Sequence, residues 1–159
     1  MMTAFQKARA LALLVPAALL GGAWGSQLIG GLVPCEMCHW QRWPHYAALV
    51  IALLAFVPKV PQRLLVLLAA LAIGASGVIG VLHAGVEYHW WPGFTPCTAA
   101  IGGGSNADVL ASIMKTPIVR CDAPQWSLFG ISLAGFNAII SLGSALVILF
   151  LLTRRSRAA

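Results

Sequence analysis

Four long stretches of apolar residues, separated by polar segments, dominate the sequence. They cover approximately residues 10–33, 37–57, 64–83 and 128–153. Each comes close to the roughly 20 apolar residues that a helix needs to cross a hydrocarbon core of about 30 Å. Because lipid offers the backbone no hydrogen bonds, each stretch is predicted to be a helix. The pattern therefore predicts an all-α membrane protein, a four-transmembrane-helix bundle that forms a single membrane domain over residues 1–159.

The connections refine this bundle. The short segment from Pro58 to Arg63 predicts that spans two and three are antiparallel neighbours. Ala72, Ser76 and Gly80 recur every four residues in span three, which is typical of a close helix–helix contact. The long outer loop, residues 84–127, is too small for a core of its own. Within this loop Ser105 to Met114 predicts a short amphipathic helix that lies on the membrane surface or packs on the bundle.

Composition and charge support a membrane protein with a defined orientation. The chain is 60% hydrophobic and 9% charged, which excludes an ordinary soluble domain. Basic residues cluster where the positive-inside rule predicts cytoplasm: Lys7, Arg9, Lys59, Arg63, Arg154, Arg155 and Arg157. Both termini are then cytoplasmic, and every cysteine, histidine and acidic residue lies on the outer side. The scattered basic residues form no patch that predicts nucleic-acid binding.

Span one has a second interpretation as a signal peptide, since it has a basic start and an apolar core. Its apolar run is longer than the usual 7 to about 15 residues, and no convincing cleavage site follows. A retained helix is therefore the favoured interpretation.

The four cysteines form two pairs. Cys35 and Cys38 form a CxxC motif at the outer start of span two, and Cys97 and Cys121 lie in the long loop. Four cysteines on an oxidising face are predicted to form disulfides and allow three pairings, of which Cys35–Cys38 with Cys97–Cys121 is the simplest. A structural disulfide is a reasonable interpretation of the loop pair alone. It explains the CxxC poorly, because closing so short a loop adds little stability, and the motif indicates redox chemistry instead.

Arg42 and His83 are the other candidate site residues. Cys35, Cys38 and Arg42 are spaced i, i+3 and i+7, so they share one helix face, where a helix N-terminus and a guanidinium both favour a thiolate. Arg42 is predicted to bind a ligand oxygen; the alternative is an arginine that reaches lipid headgroups. His83 is a candidate proton donor or ligand contact, or an interfacial histidine. His39, His45 and His89 are predicted to be interfacial.

Two other chemistries compete with thiol exchange. Residues 35–39 also match C-x-x-C-H, the attachment motif of c-type haem, with His39 as the axial ligand. This membrane haem-binding alternative leaves Cys97 and Cys121 unexplained. A zinc site of four cysteines is a weaker interpretation, because an oxidising compartment favours disulfides. An outward-running thiol reductase would be favoured by cysteines on the cytoplasmic side, where the sequence has none.

The sequence resembles the DsbB family, the disulfide bond formation proteins of bacterial inner membranes. The resemblance covers nearly the whole chain and is carried by the four spans, Cys35-x-x-Cys38-x-x-x-Arg42, His83, the two loop cysteines, and Trp126 before span four. Gln41 departs from the pattern, since family members carry an acidic residue before the arginine.

The resemblance implies an enzyme, a quinone-dependent protein-disulfide oxidoreductase. It implies that a periplasmic DsbA-like thioredoxin-fold partner attacks a Cys97–Cys121 disulfide, with Cys97 forming the mixed disulfide. Cys121 would then exchange with Cys35, and Cys38 would face the quinone, ubiquinone or menaquinone, whose oxygen Arg42 and His83 would contact. The implied site thus consists of the four catalytic cysteines and a quinone-binding set formed by Cys38, Arg42 and His83, with no metal.

Overall fold

Four helices and one small hairpin form the described part of the chain, which comprises residues 2–93, 105 and 120–154 of the computed structural model. The helices are α1 (Ala4–Leu28), α2 (Glu36–Leu54), α3 (Gln62–Glu87) and α4 (Leu133–Thr153). The hairpin pairs β1 (Ser127–Leu128) with β2 (Ile131–Ser132) in antiparallel register. The predicted helix from Ser105 to Met114 lies outside the described residues, except for Ser105 itself.

The helix ends differ from the apolar stretches because backbone geometry, not hydrophobicity, ends them. Helix α1 ends at Leu28, five residues before the apolar run does, and Gly31 follows with φ of 67°. Helix α2 ends at Leu54, and Pro58 disfavours helical geometry in the residue before it. Helix α3 extends past the predicted end at His83 to Glu87.

The hairpin delays the start of α4 from residue 128 to residue 133. Its two-residue loop, Phe129 and Gly130, has φ of 52° and 77°, the positive values that a type I′ turn requires. Tyr88, just after α3, binds the turn and the second strand of the hairpin: its hydroxyl donates to the Gly130 carbonyl and accepts from the Ser132 amide. Ser132 then caps α4 by accepting from the amide of Gly135.

Helices α1, α3 and α4 are long and apolar enough to cross a membrane. Helix α2 is less apolar because it carries charged and polar residues at its start. It nevertheless exposes large apolar side chains, including Trp43, Val50 and Leu53. Exposed apolar surface of this kind fits lipid better than water, and the chain is a membrane protein.

The predicted antiparallel packing of α2 against α3 is confirmed, since the start of α2 lies beside the end of α3. Helix α1 packs against α2 and α4, and the interpretation of span one as a retained helix stays a prediction. At the end of the bundle away from the start of α2, the core is built mainly of alanines from several helices, with larger residues such as Val66, Ile73 and Ile148.

The small-residue face of α3 lies against α4, as the spacing predicts. A Cβ added at Gly80 would come within 3.0 Å of the Ala138 amide nitrogen and 3.1 Å of the Ala134 carbonyl oxygen. These are backbone atoms, which cannot rotate away. At Gly74 an added Cβ would meet the Ala145 side chain at 3.6 Å, an ordinary contact. Of these two glycines, Gly80 and not Gly74 therefore lies where α3 comes close to the backbone of α4.

Gly80→Ala is expected to lower the free energy of unfolding by about 1–3 kcal/mol, because the added methyl forces α3 and α4 apart. Gly74→Ala is the matched control and is expected to be neutral or slightly stabilising, since alanine favours helix. Thermal unfolding of the purified proteins in one detergent measures both. Equal melting temperatures for the two variants would contradict the assigned contact.

Candidate functional site

A cavity of about 240 Å³ opens at the end of the bundle where α1 and α3 end and α2 and α4 begin. Its walls are largely apolar, with Leu19, Leu20, Val33 and Phe136 among them. Its polar lining residues include Cys35, Cys38, Gln41, Arg42, His45, His83, Glu87 and Asn137. An apolar cavity with a few convergent polar groups is the usual form of a small-molecule site.

The two thiols of the CxxC lie at the start of α2. Cys35 is the N-cap residue, and its sulfur accepts a hydrogen bond from the Cys38 amide at 3.2 Å. The two sulfurs are 2.9 Å apart, and both cysteines are free thiols, so the Cys35–Cys38 disulfide of the simplest pairing is not formed in this structure. Cys35 is 3% exposed, whereas Cys38 is only partly buried. The hydrogen bond to Cys38, followed by burial, raises the pKa of the Cys35 thiol, so Cys35 is the proton donor of the pair.

Arg42 lies one turn further along α2 and points inward. It is 8% exposed. Its Nη1 donates to Gln27 Oε1 at 2.8 Å, its Nη2 donates to the Ala23 carbonyl at 3.2 Å, and its guanidinium lies 5.5 Å from the Trp24 ring centroid. All three contacts come from α1. This placement contradicts the alternative in which Arg42 reaches lipid headgroups, and it leaves a buried positive charge beside the thiols.

His83 joins the thiols to the interior of the bundle. Its Nε2 lies 3.5 Å from Cys35 Sγ and 3.7 Å from Glu87 Oε1, and its Nδ1 lies 2.7 Å from Gln41 Nε2. Both His83 and Glu87 are more than nine-tenths buried. The other carboxylate oxygen of Glu87, Oε2, is buried and has no hydrogen-bond partner among the described residues.

Behind His83 the polar contacts continue across three helices. Gln41 Oε1 accepts from Asn137 Nδ2 at 2.8 Å, and Asn137 Oδ1 lies 3.0 Å from His45 Nε2. Ser76 and Ser141 complete the chain through hydrogen bonds to Gln41 and Asn137. The prediction of an interfacial His45 is therefore wrong: the side chain is 3% exposed and bonded to α4. His39 and His89 are exposed.

Cys121 lies beside the CxxC. It is 1% exposed and packs in one buried cluster with Cys35, Met37 and Val86, against which Cys38 and Trp91 also pack. Cys121 is disulfide-bonded. Two neighbours of Cys121 form a bidentate ion pair at the surface, in which Arg120 lowers the pKa of Asp122 to about 2. Cys97 lies outside the described residues.

The structure thus brings four of the predicted site residues, Cys35, Cys38, Arg42 and His83, to one cavity. Sequence reasoning missed several polar residues that contact Arg42 or His83 or extend the chain of hydrogen bonds behind His83: Gln27, Gln41, His45, Glu87 and Asn137. Two of these carried a readable signal, because Gln27 and Asn137 are isolated polar residues in apolar spans, where such residues usually have a partner.

The geometry of the site also bears on the metal and haem alternatives. The ligand atoms of Cys35, Cys38 and His83 lie within 4.8 Å of one another, so these residues could hold a metal ion. His39, which the haem motif needs as an axial ligand, is exposed and does not line the cavity. The haem alternative therefore finds no support in the described site.

The family model of disulfide bond formation protein DsbB matches residues 6–151, which include α2 and α3 entirely and all of α1 and α4 except the first two residues of α1 and the last two of α4. No curated protein and no solved structure matches the chain.

In the reduced protein, Cys38 is expected to react with a thiol-alkylating reagent before Cys35. Cys35 is buried and its pKa is raised, so it stays protonated at a pH of about 8, where an ordinary cysteine begins to ionise. Mass spectrometry of peptides after brief exposure to N-ethylmaleimide measures the order. The detergent-unfolded protein is the control, in which both cysteines should react at similar rates. Earlier labelling of Cys35 in the folded protein would contradict the assignment.

Proposed function

Since the chain belongs to the DsbB family of membrane proteins that form disulfide bonds, we propose that it is a quinone-dependent thiol oxidase of the bacterial inner membrane. Its thiol substrate is the reduced dithiol of a periplasmic, DsbA-like thioredoxin-fold protein. Reoxidation of that partner drives disulfide formation in exported proteins. The final electron acceptor is a membrane quinone, ubiquinone or menaquinone.

One observation carries the proposal: a free thiol pair and a buried arginine line the same apolar cavity. Converting a dithiol to a disulfide releases two electrons and two protons, so the site needs an acceptor for both. A quinone accepts two electrons and two protons and dissolves in lipid, which matches a cavity at the helix ends of a membrane protein. Arg42 supplies a fixed positive charge and N–H donors, which suit a carbonyl oxygen that gains negative charge.

The two CxxC thiols have different roles in this proposal. Cys38 is the more accessible thiol and receives a hydrogen bond from the protonated Cys35, so Cys38 is the thiolate that faces the quinone. Cys35 is buried on the side of Cys121 and exchanges with it. When both thiols have given up their protons and electrons, the sulfurs join as a disulfide, which their 2.9 Å separation favours.

Electrons enter through the loop cysteines. We propose that Cys97 pairs with Cys121 and is the residue that the partner's thiolate attacks. Two facts support this: Cys121 is disulfide-bonded, and Cys35 and Cys38 are both free thiols. Cys121 shares a buried cluster with Cys35, so the disulfide of Cys121 lies beside the Cys35 sulfur, as exchange by thiolate attack requires.

The proposed orientation places this end of the bundle at the periplasmic side, with all four helices crossing the membrane and both termini in the cytoplasm. The basic residues at the opposite end support it. The exposed apolar side chains of α2 support its crossing as well, although α2 is the least apolar helix. Its buried polar residues Gln41, Arg42 and His45 face inward, where they line the cavity.

Cys38→Ser is expected to abolish quinone reduction by the purified protein, because the thiolate that faces the quinone is lost. Cys97→Ser is expected to block electron entry from a reduced thioredoxin-fold partner. The reduced CxxC of Cys97→Ser should still pass one pair of electrons to added quinone in a single turnover. Quinone absorbance followed with and without the partner separates these steps. Normal steady-state turnover by either variant would contradict the relay, and a visible haem spectrum would favour the alternative chemistry.

Arg42→Met is expected to raise the apparent KM for quinone by about ten- to a hundredfold, because a charge-assisted hydrogen bond is lost. The apparent KM for the thiol partner should change far less. Arg120→Met is the matched control, since Arg120 lines the rim of the same cavity but is exposed and paired with Asp122. An unchanged quinone dependence in Arg42→Met would remove Arg42 from the quinone site.

A further inference from the structure

We propose that Gln41 is a positioning residue that holds His83 in the tautomer with its proton on Nε2, so that His83 donates a hydrogen bond toward the Cys35 sulfur. The consequence for turnover rests on the proposed function. The position of the proton does not, because hydrogen bonds among the described residues determine it.

The backbone carbonyl of Met37 can only accept hydrogen bonds. The terminal group of Gln41 that faces the Met37 carbonyl, at 3.3 Å, must therefore be the amide nitrogen. The same nitrogen lies 2.7 Å from His83 Nδ1. Amide orientation follows from such partners and not from the shape of the side chain. Gln41 thus uses its two N–H groups on Met37 and His83, and its oxygen faces α4.

A second carbonyl fixes the other end of Gln41. Asn137 Nδ2 lies 3.2 Å from the Ser76 carbonyl and 2.8 Å from Gln41 Oε1. Since the Ser76 carbonyl can only accept, the Asn137 group facing it is also the amide nitrogen. Rotating Gln41 by half a turn would place its oxygen against the Met37 carbonyl and its amide nitrogen against that of Asn137. Both contacts would be repulsive, so the orientation of Gln41 is determined from both sides.

His83 must then accept at Nδ1. An N–H at that position would face the Gln41 N–H across 2.7 Å, which excludes both the Nδ1–H tautomer and the doubly protonated ring. The single proton of the neutral imidazole therefore lies on Nε2. That atom is 3.5 Å from Cys35 Sγ and 3.7 Å from Glu87 Oε1.

This proton gives the Cys35 sulfur a second donor. The Cys38 amide already donates to it from the first turn of α2. Once the Cys35 proton is no longer held in the hydrogen bond to Cys38, the two donors stabilise the Cys35 sulfur as a thiolate. A proton on Nε2 also means that this nitrogen is not ready to bind a metal ion alongside the two sulfurs.

The first test uses the reduced wild-type protein without quinone or partner. Nitrogen NMR of histidine-labelled protein in detergent distinguishes the two tautomers, and loss of one signal in His83→Gln assigns His83. The expected result is a proton on Nε2. His45 provides an internal check, because its Nε2 faces Asn137 Oδ1 and should also be protonated. A proton on Nδ1 of His83 would overturn the proposal, whatever the quinone assay shows.

Gln41→Glu tests whether Gln41 sets the tautomer. A carboxyl group, either ionised or with its own proton donated to the Met37 carbonyl, accepts from His83, so the proton should move to Nδ1. Gln125→Glu is the matched control: Gln125 also lines the cavity but binds the Val33 carbonyl, and its variant should leave His83 unchanged. An unchanged His83 spectrum in a folded Gln41→Glu protein would overturn the role of Gln41. If that variant does not fold, Asn137→Ala should yield a mixture of tautomers, and a single tautomer there would overturn it instead.

A thiol readout separates positioning from a merely structural role. In a Cys38→Ser background, alkylation of Cys35 at fixed pH should be about tenfold slower with Gln41→Glu, because one donor to the thiolate is lost. Gln125→Glu in the same background should slow it much less. Equal rates in the two double variants would contradict the effect on Cys35. Neither the NMR nor the alkylation measurement requires quinone turnover. The proposed oxidase function can therefore be wrong while the role of Gln41 is right, and the role of Gln41 can be wrong while the oxidase function is right.

Discussion

The site depends on one constraint: polar groups inside a membrane bundle must find their hydrogen bonds within the protein. Gln41 meets this constraint for three helices at once, through the Met37 carbonyl in α2, His83 in α3 and Asn137 in α4. Because two backbone carbonyls fix the donors of both amides, the whole chain of hydrogen bonds has a single direction. A connected network of this kind specifies one arrangement of the helices, and that arrangement places His83 beside the thiols.

The geometry of the site therefore depends on how the helices pack. Asn137 reaches Gln41 and Ser76 only because α3 and α4 approach closely, and Gly80 makes the approach possible. A Cβ at Gly80 would lie 3.1 Å from Asn137 Nδ2 as well as against the backbone of α4. The small-residue face of α3 thus has two roles, and the spacing of its residues alone does not distinguish them. Gly80 provides room for contact, and Ser76 within the same row donates to the Gln41 carbonyl.

The sequence could predict the features of the fold and the site that produce a periodic pattern or a charge pattern. Helical spacing placed Cys35, Cys38 and Arg42 on one face, and the structure brings them to one cavity. The same spacing continues to His45, three residues beyond Arg42, but a histidine at a membrane boundary suits water equally well, so burial could not be deduced. The predicted helix ends were wrong where residues with positive φ or the hairpin interrupt an apolar run, because the hydrophobicity of a segment indicates neither feature. The direction of Gln41 required partners from α3 and α4, which no local pattern contains.

The two sulfurs of the CxxC differ although only two residues separate them, and the difference has a structural origin. Cys35 caps α2, so its sulfur turns back to the Cys38 amide and packs with Met37, Val86 and Cys121. Cys38 lies inside the first turn, less buried and on the same face as Arg42. The pair therefore lies across a boundary, with a buried disulfide-bonded cysteine on one side and an apolar cavity on the other. In the proposed oxidase this geometry gives electrons a direction. Cys35 can exchange only with a sulfur that reaches the buried cluster, and Cys38 is placed to meet an acceptor that dissolves in lipid.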